Sequence, residues 1–110
     1  MHTVTSSYDT EQSLVASMLS GRKEALYCLY RKYSPLLMGF ILEIIPDKKV
    51  AEEVLQKAFI EIWKRKKEYQ PDIDRLFIWM LRITRKQAVL KAGAQNITNK
   101  EIPNSNISVN

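Results

Sequence analysis

Between Arg22 and Ile45 the apolar residues Leu26, Leu29, Tyr30, Tyr33, Leu37, Phe40, Ile41 and Ile44 recur every three or four positions. That spacing follows the turn of an α-helix and fits no strand, whose faces alternate at every second residue. A helix with so apolar a face must be covered by other helices. Within it, the run LLMGFILEII (Leu36 to Ile45) contains Glu43. It is about half the roughly 20 residues that cross a bilayer, so it reads as a core helix. Pro35 falls inside the period. Its missing N–H and its ring predict a break or a kink there.

The stop signals divide the rest of the chain. A short helix is predicted from Thr10 to Ser20, capped by Asp9 or Thr10, with Gly21 just beyond its end. Pro46-Asp47 ends the second helix and caps a third, Lys48 to about Lys67. Its predicted core stripe is Val50, Val54, Leu55, Ala58, Phe59, Ile62 and Trp63. QPDID (Gln70 to Asp74) is a turn, Asp74 is placed to cap a fourth helix, and Gly93 is expected to end it. The remainder, AQNITNKEIPNSNISVN, is rich in Asn and Ser. The expected architecture is all-α: a compact bundle of about four helices over residues 10–93. A disordered start (1–9) and a flexible tail or interdomain linker (94–110) flank it. A chain of 110 residues holds one such domain at most.

Several functions are disfavoured by what the chain lacks. Cys28 is the single cysteine, so no internal disulfide can form, and a buried or half-buried thiol is expected rather than a reactive one. His2 is the single histidine, and no metal-ligand cluster or cofactor is expected. Glu52 and Glu53 are adjacent and point about 100° apart on a helix, so they form no catalytic pair. No Ser/His/Asp or Cys/His pattern appears, and no enzyme is expected. The polar start MHTVTSSYDTEQ lacks the form of a signal peptide, which suggests a cytoplasmic chain without membrane contact.

Charge is placed unevenly. Lys57 to Lys91 holds ten basic residues against four acidic ones, a net of +6, whereas the rest holds seven against eight. Such a surface suits a polyanion, and equally a solvated face. On a wheel for RLFIWMLRITRKQAVLKAG (Arg75 to Gly93), Arg82 and Lys86 fall about 20° to either side of Arg75, and Arg85 flanks that stripe. Leu76, Met80, Ile83 and Leu90 are predicted to face the core. Trp79 sits at the seam. It reads either as a boundary core residue or as part of a platform for single-stranded nucleic acid, where cations meet phosphates and an aromatic ring meets a base. Tyr69 and Phe77 add aromatic groups on the same approach.

Three stretches together resemble region 2 of bacterial extracytoplasmic-function sigma factors, of the sigma-70 family. They are EALYCLYRKYSPLLMGF, DKKVAEEVLQKAFIEIWKRKKEYQP and WMLRITRKQAVL. The matching residues are Ala25, Leu26, Leu29, Tyr30, Tyr33, Pro35, Leu36 and Leu37, then Ala51, Glu52, Glu53, Gln56, Phe59 and Trp63, then Trp79, Ile83, Thr84 and Arg85. The resemblance implies an all-helical domain whose third helix binds the clamp helices of the largest subunit of core RNA polymerase. It also implies that the following turn and fourth helix capture the melted non-template strand of the upstream promoter hexamer. An anti-sigma factor is a further partner that it allows.

On that basis Tyr69, Arg75, Trp79, Arg82, Arg85 and Lys86 are the expected DNA-binding residues. Glu53, Gln56, Lys57 and Ile60 are the expected polymerase-binding residues. The chain departs from the family pattern at Lys57, where an acid is usual, at Lys86 in place of asparagine, and at Leu90 in place of aspartate. These departures leave a second class open, a regulatory protein–protein module that does not read DNA. Nothing after Gly93 has the pattern of the family's second, helix-turn-helix domain. A fragment or a one-domain relative is therefore expected.

Overall fold

The computed structural model describes residues 10–101, with side chains to residue 94. Four α-helices follow in order: α1 (Glu11–Leu19), α2 (Lys23–Ile44), α3 (Lys48–Lys64) and α4 (Leu76–Glu101), with a single 3-10 turn at Lys66–Glu68. No strand occurs among the described residues.

Local chemistry sets most of the boundaries. Thr10 caps α1 through its hydroxyl, which accepts the Ser13 N–H at 3.0 Å. After α1 the chain turns through Gly21 at φ +77°. There the Arg22 N–H reaches the Ser17 carbonyl at 3.2 Å and the Gly21 N–H reaches that of Met18 at 2.9 Å. This double closure is the Schellman ending, and its left-handed residue is why a glycine stands there. Asp47 caps α3, accepting the Val50 N–H at 3.1 Å.

Burial follows the helical period. In α2, Ala25, Leu29, Tyr33, Leu37 and Ile41 form an unbroken row at spacing four. It faces Ala51, Val54, Leu55, Ala58, Phe59 and Ile62 of α3. Leu76, Trp79, Met80, Ile83 and Ala88 of α4 complete the core, and Leu14, Val15 and Met18 of α1 cover one end. Thr84 is also buried, and its hydroxyl donates to the Met80 carbonyl of its own helix at 2.9 Å. Cys28 is half-buried. No helix among the described residues is long and apolar enough to cross a membrane.

The structure corrects six expectations. Pro35 does not break α2, because it lies on the exposed side, where its missing N–H strands no buried group. Helix α3 stops at Lys64 rather than near Lys67, and Trp63 is only half-buried. The Lys66 ammonium lies 4.7 Å from the centre of the Trp63 ring, so this indole meets a cation at the rim. Helix α4 does not end at Gly93 but continues to Glu101. Gly93 lies inside the helix and lacks the positive φ that Gly21 adopts, so its backbone makes no turn there. Leu90, assigned to the core by the wheel, is 57% exposed because it lines the open groove between α3 and α4 rather than the core.

The sixth correction concerns how α4 begins. The Leu76 N–H is accepted by the Glu11 carboxylate of α1 at 3.3 Å. A side chain 65 positions upstream thus does the capping expected of Asp74.

Candidate nucleic-acid interface

The turn into α4 is held by a chain of contacts. Tyr69 is buried, and its hydroxyl donates to the Asp74 carbonyl at 2.8 Å. The Asp74 carboxylate takes both ends of the Arg82 guanidinium, Oδ2 to Nη1 at 2.7 Å and Oδ1 to Nη2 at 3.0 Å. Hydrogen bonding from Arg82 holds the Asp74 carboxyl below its ordinary value and raises the guanidinium in return. Burial, followed by the nearby Glu11 carboxylate, pushes the Tyr33 and Tyr69 hydroxyls up. Two ring pairs lie behind the turn. Tyr69 tilts against Trp79 at 5.2 Å, and Tyr33 stacks on Phe77 at 5.8 Å.

Beside this assembly a cleft of about 250 Å³ opens between the end of α3 and α4, lined by Arg65, Glu68, Trp79, Arg82, Ile83 and Lys86. Trp79 and Ile83 give it an apolar floor, and three cations stand around that floor. They differ in how free they are. Arg65 Nε lies 3.3 Å from Glu61, and Arg82 is bound to Asp74. Lys86 has no ion pair among the described residues.

Of the residues predicted for DNA, Trp79, Arg82 and Lys86 meet in the cleft. Arg75 and Arg85 are exposed but do not line it. Tyr69 is buried behind Trp79 rather than on the approach, and half-buried Phe77 stacks on Tyr33 of α2. Trp79 itself is 9% exposed and presents only a rim. Sequence reasoning did not place Arg65 or Glu68 at this site, and it assigned Ile83 to the core and to the family motif rather than to the cleft. The basic run Lys64 to Lys67 was a signal for Arg65, but which of its four members turns towards α4 is set by where α3 ends.

The residues predicted for polymerase form a second surface. Glu53, Gln56, Lys57 and Ile60 are all exposed along α3, Ile60 at 59%. They follow a ridge between two grooves. One groove, shared with α4, is lined by Glu53, Val54, Lys57, Gln87, Leu90 and Lys91. The other, shared with α2, includes Tyr30, Pro35, Met38, Glu52, Leu55 and Gln56. Lys91 approaches Glu53 at 4.0 Å, a loose, solvent-exposed pair.

Residues 29–91, which hold the whole cleft and the α3 ridge, match sigma-70 region 2. The chain belongs to the sigma-70 region 2 family. Among proteins similar to this region 2 domain is the RNA polymerase sigma-H factor of Pseudomonas aeruginosa, 29% identical over 75 residues, which are 68% of this chain and 38% of that protein. The ECF RNA polymerase sigma factor SigK of Mycobacterium ulcerans is 21% identical over 87 residues, 79% of this chain and 46% of its own length. SigK of Mycolicibacterium vanbaalenii is 24% identical over 66 residues, 60% of this chain and 34% of its own. The chain thus spans less than half the length of these relatives.

Proposed function

We propose that this domain serves as a sigma-factor region 2: it binds core RNA polymerase through the α3 ridge and captures the melted non-template strand of the upstream promoter hexamer in the cleft beside α4. The observation that supports strand capture is the cleft, whose apolar floor and surrounding cations lie inside the family match. An unpaired base set there meets the rim of Trp79 and Ile83, while its phosphates meet Lys86 and Arg65. A duplex holds its bases stacked inside and can use only the cations. The α3 ridge supports the polymerase contact, because Glu53, Gln56, Lys57 and Ile60 are exposed on one side of a rigid helix. The whole runs in the cytoplasm, where polymerase works, and an anti-sigma factor is a further partner for the same surfaces.

The deciding experiment is competition among the non-template strand, its complement and the intact duplex for the chain, with polymerase present. The strand should win, and Lys86→Ala should flatten the log–log salt slope by about 0.7, the contribution of one phosphate on a single strand. On the other surface, Glu53→Lys should weaken capture of a clamp-helix fragment and Lys57→Glu should strengthen it.

One observation favours a second reading. The faces of Tyr69 and Trp79 are covered, as suits a regulatory module that binds protein and leaves DNA alone. Equal binding of all three nucleic acids, or none even with polymerase, would favour that module.

A further inference from the structure

We infer that Asp74 is an internal stand-in for backbone phosphate, which sets the affinity of the strand cleft by occupying the Arg82 fork. The inference rests on the strand-capture reading and adds to it the residue that tunes the site. Arginine grips a carboxylate and a phosphate in the same two-pronged way. Here both prongs are taken, at 2.7 and 3.0 Å.

Asp74 is also not a loose competitor. Its backbone N–H reaches the Gln70 carbonyl at 3.3 Å, and its own carbonyl accepts the Tyr69 hydroxyl at 2.8 Å. The turn therefore holds the carboxylate against Arg82, one of the residues that line the cleft. Exposure is unequal within the pair: the Arg82 side chain is 61% exposed and that of Asp74 20%. A phosphate can thus approach the cation from solvent while the carboxylate stays in place behind it. To gain the fork it must displace Asp74, and the displaced anion then faces the strand. Until that exchange, Arg82 is neutralised, and among the described residues Lys86 is the cleft cation without an ion pair.

The test is a titration of a fluorescent single-stranded deoxythymidine oligonucleotide with the full chain over a range of salt. Asp74→Asn keeps the shape of the side chain and removes its charge. It should bind the strand several-fold more tightly, with a slope steeper by about 0.7. Arg82→Ala should change affinity little in the parent chain, yet abolish the gain made by Asp74→Asn. The Arg82→Ala arm needs no change at Asp74, so it holds even if the asparagine variant folds poorly.

Unchanged or weaker binding by folded Asp74→Asn would overturn the inference, as would a large loss from Arg82→Ala alone. Strand binding that Lys86→Ala weakens would leave the capture reading standing in either case. No strand binding by any variant would overturn both.

Discussion

The two ends of the α3–α4 pair are built differently. At the turn end, four contacts converge on a few residues: Glu11 to the Leu76 N–H, Tyr69 to the Asp74 carbonyl, Asp74 to Arg82, and Tyr69 against Trp79. At the far end Leu90 is largely exposed, and Lys91 and Glu53 form a loose pair across the groove. A turn that must present groups to a flexible ligand gains from being held, since less ordering remains to be done on binding. The exposed α3 ridge needs no such bracing, because a helix already fixes the spacing of its side chains.

The largest expected effect tests the core that both ends share. Phe59→Ala should cost about 3–5 kcal/mol in denaturant unfolding, because the ring is buried between Tyr30 and the α3 core. Half-buried Trp63 should cost less when truncated, about 1–2 kcal/mol, in proportion to the area it removes from water. Equal losses would show that the rim and the core are not distinct at this place.

Next comes the braced end. Glu11→Ala removes the acceptor for the first N–H of α4 and should destabilise by about 1 kcal/mol, as loss of a helix cap does. Glu11→Gln keeps an acceptor and should cost less. The open end should respond in the opposite direction. Gly93→Ala meets no atom within 4 Å beyond the backbone of its own helix and lies inside α4, so it should raise stability by about 0.5–1 kcal/mol. A loss there would mean that the helix turns at Gly93 after all.

The smallest effect is a dependence on pH at the braced end. The Asp74 carboxyl is lowered in the folded chain, so its contribution is complete above the unfolded value of about 3.9. It should disappear as the pH falls through the folded value. Melting of the parent chain and of Asp74→Asn should therefore differ near neutrality and converge in acid.

These contrasts follow what could be read from sequence. The helices and the caps at Thr10, Gly21 and Asp47 are local, encoded within a few residues, and legible. The cap on α4 is not, because Glu11 and Leu76 are brought together only by the packing of α1. Leu90 shows the limit of a wheel, which says which residues share a side but not whether a neighbour covers it. At the cleft, Trp79, Arg82 and Lys86 were legible from spacing. The inward turn of Tyr69 was not, since it depends on one hydroxyl finding the Asp74 carbonyl. Gly93 was overvalued as a stop signal. Its penalty of about 1 kcal/mol is one that a long helix can carry.

The bond between Glu11 and Leu76 also implies an order of assembly. Closing a loop of 65 residues for one hydrogen bond is entropically costly, whereas the link from Ile45 to Asp47 lets α2 and α3 meet as a hairpin. The first turn of α4 then completes after that hairpin, when α1 has docked. Glu11, which leaves the ribosome long before Leu76, is already waiting for it.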